Sequence, residues 1–176
     1  MIRLYILIII ILTSIIVGCK KDDSNIQTGN TSNNYPSFTG YTSTDNSGVP
    51  TGLNDPTDWT NDTNWVYSEE NLFPQLQFLT SDFEAYSNIE VHPAYPNPAS
   101  SNPSVQITKA SDVLLSFKVV NSTFNVIASM DSIYSNAFTI NTETIISPAD
   151  TMIRIYYLLE RNDSCLYKGH GDIKIN

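Results

Sequence analysis

Few side chains in this sequence can act as nucleophiles, general bases or metal ligands near neutral pH. There are two histidines, His92 and His170, and two cysteines, Cys19 and Cys165. Neither histidine stands at a metal-ligand spacing from the other or from a cysteine. His92 precedes a proline and His170 lies in a Gly-His-Gly triplet, so both read as turn or surface residues. The adjacent acids Glu69 and Glu70 could exchange protons with a substrate, but nothing around them signals a cleft. Asp55, Asp58 and Asp62 invite a calcium reading, yet the alternating ligands and turn glycine of a calcium loop are missing. There is no nucleophile elbow, phosphate loop, dinucleotide fingerprint or zinc helix. The expectation is a protein that is not an enzyme, with no cofactor and no metal.

Cys19 takes its meaning from what precedes it. Arg3 opens an apolar run from Leu4 to Val17, and a small residue, Gly18, stands before the cysteine. That order describes an export signal. Its roughly fourteen residues fall short of the ~20 that a membrane-crossing helix needs. Ile16-Val17-Gly18-Cys19 resembles the lipobox of bacterial lipoproteins. The resemblance implies cleavage between Gly18 and Cys19, acylation of Cys19, and removal of residues 1–18. Several acyl chains on one residue hold a protein stably on a membrane. Lys20-Lys21-Asp22-Asp23 resembles the charged export tag of Bacteroidota lipoproteins, which implies an outer-membrane protein facing the cell exterior. Cys165 is then left without an intramolecular disulfide partner and reads as a small buried residue.

Elements that would hold a site must come from the remaining 158 residues, enough for one domain and a tail. Removing Arg3 takes the net charge from −9 to −10, and from Asp22 to Thr108 there are eleven acidic residues and no Lys or Arg. So acidic a chain gains nothing from counterion release, so no nucleic-acid partner is expected. Residues 19–57 are rich in Asn, Ser, Thr and Gly without periodicity and read as a lipidated cysteine followed by a disordered tether. Residues 58–86 differ: Trp59, Trp65, Phe73 and Phe78 are interleaved with acids. This arm either packs on the following domain or docks on another protein through those aromatics.

From residue 87 onward the pattern has period two. Val113, Leu115, Phe117 and Val119 form one row, and Ile153, Ile155, Tyr157 and Leu159 another. Val105 with Ile107, Phe138 with Ile140, and Ile173 with Ile175 continue the pattern. Short alternating runs separated by Asn, Ser, Pro and Gly predict an all-β domain over 87–176, a single immunoglobulin-like sandwich of about seven strands with no helix. His92-Pro93-Ala94-Tyr95-Pro96-Asn97-Pro98-Ala99 resembles the opening of the immunoglobulin-like domain of the flagellar hook-capping family and of the type IX secretion sorting domain. Its prolines suit a first strand at a sheet edge. The chain ends Gly169-His170-Gly171-Asp172-Ile173-Lys174-Ile175-Asn176 and lacks the sorting signal's basic tail, so the resemblance implies a related sandwich and not a secretion signal. Asp131-Ser132-Ile133 and Asp150-Thr151-Met152 resemble Bacteroidota O-glycan acceptors, implying glycan on Ser132 or Thr151 at turn positions.

Two functional expectations follow. One is a non-catalytic accessory subunit of an outer-membrane complex for secretion, barrel assembly or uptake, joined to a barrel protein by the arm or a sheet edge. The other is a free-standing surface binding module for glycan or another small ligand, with Trp59 and Trp65 as a stacking platform.

Overall fold

The alternating rows become strands that lie in two stacked sheets. The computed structural model describes residues 35–82, 88–145 and 151–176. The signal segment, Gly18, Cys19, the tag Lys20, Lys21, Asp22 and Asp23, and the tether as far as residue 34 lie outside the described residues. The strands are β1 (Thr80–Ser81), β2 (Glu90–Val91), β3 (Ser104–Thr108), β4 (Leu114–Asn121), β5 (Val126–Ile133), β6 (Ala137–Thr139), β7 (Met152–Arg161) and β8 (Ser164–Lys174). Seven of the eight, β2 to β8, fall in the span where the alternation predicts about seven. The fold is an all-β sandwich. Helix is confined to single turns, α1 (Tyr67–Glu70) and α2 (Thr142–Ile145), and a 3-10 turn at Pro74–Phe78.

One sheet has the order β1-β8-β7-β4-β5 and the other β2-β3-β6. All neighbouring pairs are antiparallel except β1 with β8. The β7–β8 hairpin turns at Asn162 and Asp163, which hold φ of 48° and 59°. Asn and Asp tolerate that left-handed region better than most residues, so a two-residue hairpin turn suits them.

Between the sheets lies the main core. It buries Val113 just before β4, Leu115, Phe117 and Val119 of β4, the Ile153 to Leu159 row of β7, and Val105 and Ile107 of β3. Phe117 stacks on Phe138 with ring centroids 4.1 Å apart, joining the two sheets. The proline-bearing stretch 92–99 is not itself a strand and makes only isolated bridges, while the two residues before it, β2, form an edge strand of their sheet.

The outer face of the five-stranded sheet departs from expectation. A sandwich would leave it wet, yet Ser116, Val120, Tyr156 and Leu158 are fully buried there. Trp65 and Phe73 cover it, forming a second core with Val120, Tyr156, Leu158 and Cys165. The arm is therefore a third layer of the domain. Residues 35–57, expected to be disordered tether, are ordered and packed too: Thr42, Ser43 and Thr44 are buried, and Thr44 Oγ1 donates to the Ala94 carbonyl at 2.6 Å. Composition alone missed this, because the ordering comes from hydrogen bonds to distant backbone and not from local apolar period.

Trp59 packs differently, entering the main core beside β8 and stacking on Tyr157. A Cβ at Gly171 would collide with the Trp59 ring, and one at Gly169 with the Thr60 carbonyl. The Gly-His-Gly triplet is thus a strand segment kept bare for the arm, not a turn. Gly171→Ala should cost about 1–3 kcal/mol through overpacking, read as a lower denaturation midpoint with an unchanged m-value. An unaltered midpoint would show that Trp59 does not seat on the strand in this way.

Candidate functional site

The polar centre of the molecule is built on the β8 edge facing away from β7. Trp59 N–H donates to the His170 carbonyl and Asp62 N–H to the Lys168 carbonyl, both at 2.7 Å. Further along, two side chains take the place of a strand. Asp58 Oδ1 accepts from Asp172 N–H at 3.1 Å. Asn97 Nδ2 donates to the Asp172 carbonyl at 2.9 Å, and its Oδ1 accepts from Lys174 N–H at 2.9 Å. Ala99 N–H then donates to the Lys174 carbonyl at 2.8 Å.

This places Asp58 where water cannot reach. Its other oxygen accepts from Thr42 N–H at 2.9 Å. Burial and the nearby Asp172 push its pKa up to about 8, against the pull of the two backbone donors. Across the outer face of the sheet, Asp172 stands opposite Arg154 in register. Arg154 Nε and Nη2 reach its two carboxylate oxygens at 2.6 and 2.7 Å. Burial alone would lower Arg154, but the paired bonds and charge of Asp172 hold the guanidinium above its ordinary value. The fork geometry is that of an ionised pair. Both members are over nine-tenths buried, so removing one would strand a buried charge.

Beside this pair an open groove of about 800 Å³ lies on the outer face. Arg154 and His170 form its floor, and its walls come from residues 35–39, residues 56–62 and the start of α1. Tyr35 on one wall is stacked on Phe124 with centroids 4.8 Å apart. Glu69 on another is buried, accepting from Val66 N–H at 2.7 Å and Tyr156 O–H at 2.8 Å. His170 is buried rather than a surface residue, and burial with the charge of Arg154 pushes its pKa down to about 4. Its Nδ1 has no hydrogen-bond partner and faces Asp62 Oδ2 at 3.7 Å.

The residues singled out from sequence are scattered. Trp59, Trp65 and Phe73 have relative exposures of 4%, 6% and 0%, so none can contact a partner or stack on a glycan. Phe78 is 76% exposed. Ser132 lies within β5 at a positive φ of 54°, not in a turn, and Thr151 is exposed beside β7. Cys165 is a buried free thiol, with burial raising it to about 11. Asp55 and Asp62 turn carboxylate oxygens to the nearby Thr57 and Asn64 backbone. Among the described residues no cluster of His, Cys, Asp and Glu is arranged to hold a metal, and no helix is long and apolar enough to cross a membrane. Asp58 and Asn97 stood out in the sequence only as part of an incomplete calcium spacing and of the Tyr-Pro-Asn-Pro stretch, and Arg154 and Asp172 only as charged residues in strands; nothing signalled that the four meet. Compared with protein-family models, curated proteins and solved structures, the chain matches none.

Of the shifted groups, Asp58 and His170 act most strongly between about pH 4 and 8, and they act in opposite directions. Folded Asp58 keeps a proton up to about 8, whereas the unfolded chain releases it near 3.9. Its contribution is complete below that value and is lost as pH rises through the window. Folded His170 lacks, down to about 4, a proton that the unfolded chain holds to about 6.5. Its contribution is present above that value and lost as pH falls. Below about 6.5 the two offset each other, and above it only Asp58 acts. The contributions of Asp58 and His170 should cancel from about pH 4.5 to 6.5, leaving only the shallower fall from the raised Asp172 and Glu160. Above 6.5 Asp58 alone should lower stability towards 8 by at most ~1.4 kcal/mol per unit. Asp58→Asn should lower stability overall but remove that fall. A wild-type melting temperature constant from pH 6.5 to 8 would contradict the assignment.

Proposed function

We propose that the protein is a non-catalytic outer-membrane lipoprotein, anchored through acylated Cys19, that serves as an accessory subunit of an outer-membrane protein complex. The anchor rests on the resemblance of Ile16-Val17-Gly18-Cys19 to a lipobox and of Lys20-Lys21-Asp22-Asp23 to a surface-export tag. The docking side rests on one observation. With Trp59, Trp65 and Phe73 turned inward, the arm still presents Tyr67 at 80% and Phe78 at 76% exposure. Large aromatics left on a layer that already has its own core are good interface anchors.

A second route is available at β5. The β8 side of the five-stranded sheet is covered, whereas β5 ends the opposite side of that sheet. A partner strand could add there. Register irregularities at two points along its pairing with β4 shorten the regular edge, as native sheets do to limit unwanted pairing. The aromatic pair is the better anchor.

Gentle detergent extraction of the tagged chain from its own cells, followed by mass spectrometry, tests this reading. A barrel protein should be recovered at stoichiometric yield. The double variant Tyr67→Ser/Phe78→Ser should lose that partner while keeping its unfolding free energy within about 1 kcal/mol of the wild type, as exposed positions allow. Recovery of the chain alone, even after crosslinking, would overturn it.

A further inference from the structure

The groove over Arg154 and His170 has a chemistry that the docking aromatics do not use. Its floor cation is already taken, because Arg154 is paired with Asp172 through both Nε and Nη2. Its walls carry two carboxylates, Asp62 and Glu69, and an aromatic ring, Tyr35, held in place by stacking on Phe124. The side chain of Asp62 is about a quarter exposed, and its Oδ1 is engaged by Asn64 N–H at 2.8 Å. Its Oδ2 points toward His170 Nδ1, yet 3.7 Å is too long for a hydrogen bond. The imidazole is nine-tenths buried, and its Nδ1 is one of the few buried polar atoms without a partner among the described residues. A buried polar group left unpaired is costly, so it implies a group that completes it.

We propose that this groove is a binding site for a primary ammonium group, which donates to Asp62 Oδ2 and His170 Nδ1 while its carbon chain lies along Tyr35. The donor inventory selects this class. An ammonium has three rotatable donors and no acceptor, matching a carboxylate oxygen and an imidazole lone pair set close together. A carboxylate or phosphate would meet Asp62 and Glu69 with like charge. An aromatic face adds attraction for a cation. Burial and Arg154 lower His170, outweighing Asp62 and Asp55, so the ring is neutral at neutral pH and its Nε2–H tautomer offers the Nδ1 lone pair to the ligand; Tyr156 packs against the same ring. The ammonium could come from a protein lysine or from a free amine.

The test uses the full mature chain in detergent, with ring-labelled histidine followed by NMR; with His92 distant from the groove, only His170 should respond. n-Butylammonium and Nα-acetyl-lysine amide should shift the His170 resonance saturably in the millimolar range, while the Nε-acetylated lysine compound should not. Asp62→Asn keeps the Asn64 contact and should weaken binding about tenfold with an unchanged melting temperature. Carbodiimide coupling in intact cells then separates the sources: Asp62 joined to a protein lysine identifies a protein ligand, and Asp62 joined to a small amine identifies a metabolite. No His170 shift with either ammonium, an equal shift with the acetylated compound, or undiminished binding by Asp62→Asn would overturn the proposal. Absence of any amine adduct on Asp62 in cells would overturn it as well. None of these readouts depends on Tyr67 or Phe78, so loss of the docking partner and loss of amine binding are separable.

Discussion

The long strand β8 lies second from the edge of its sheet, but only β1, two residues long, continues the sheet beyond it. The rest of its outward backbone must be satisfied by other means, since a long bare edge invites pairing with another chain. The molecule solves this with irregular pieces from far up the sequence. Backbone at Trp59 and Asp62 covers one stretch, and the Asp58 carboxyl and Asn97 carboxamide act as strand substitutes over the next. Because Asn97 bonds both an N–H and a carbonyl of the strand, and also donates to the Thr42 carbonyl at 2.8 Å, it ties three segments together.

Much else follows from that arrangement. Asp58 must be buried to reach Asp172, and burial raises its pKa. The segment that carries it then continues over the outer face of the sheet, where Arg154 and Asp172 would otherwise meet water. Covering them makes a bidentate pair necessary, because a lone buried charge would be far more costly than the pair. The aromatic residues of the arm seal what remains. Trp65 stacks on Phe73 and meets Tyr156 edge to face, and the ammonium of Lys168 sits 4.8 Å from the Trp65 ring centre. The groove is what is left uncovered between these pieces, which explains its mix of buried charge, acid and ring.

The sandwich was largely legible in the sequence because each inner row obeys period two, and a strand with one buried face leaves that mark. The rows of β4 and β7 are buried as the alternation requires. The third layer was not legible. Residues 35–62 bury little apolar surface of their own apart from Trp59, and they are held by side-chain bonds to partners dozens of residues away. Such bonds leave no local period. Arg154, Tyr156, Lys168 and His170 look like the polar, wet side of two strands, and only the arm's position reverses that. The arm's aromatics were legible as a group, yet only their burial separates Trp65 and Phe73, which form core, from Phe78, which is exposed.

The integrity of the domain depends on the capped β8 edge. Native-state hydrogen exchange measures that cap most directly. The amides of Asp172 and Lys174, bonded to the Asp58 and Asn97 side chains, should exchange as slowly as amides between β4 and β7 at the centre of the sheet. The Lys174 amide should become fast in Asn97→Ala and the Asp172 amide in Asp58→Ala, while the β4–β7 amides remain protected. Rapid exchange of Asp172 and Lys174 in the wild-type protein, at the rate of the exposed amides of β5, would contradict the claim that side chains complete this sheet.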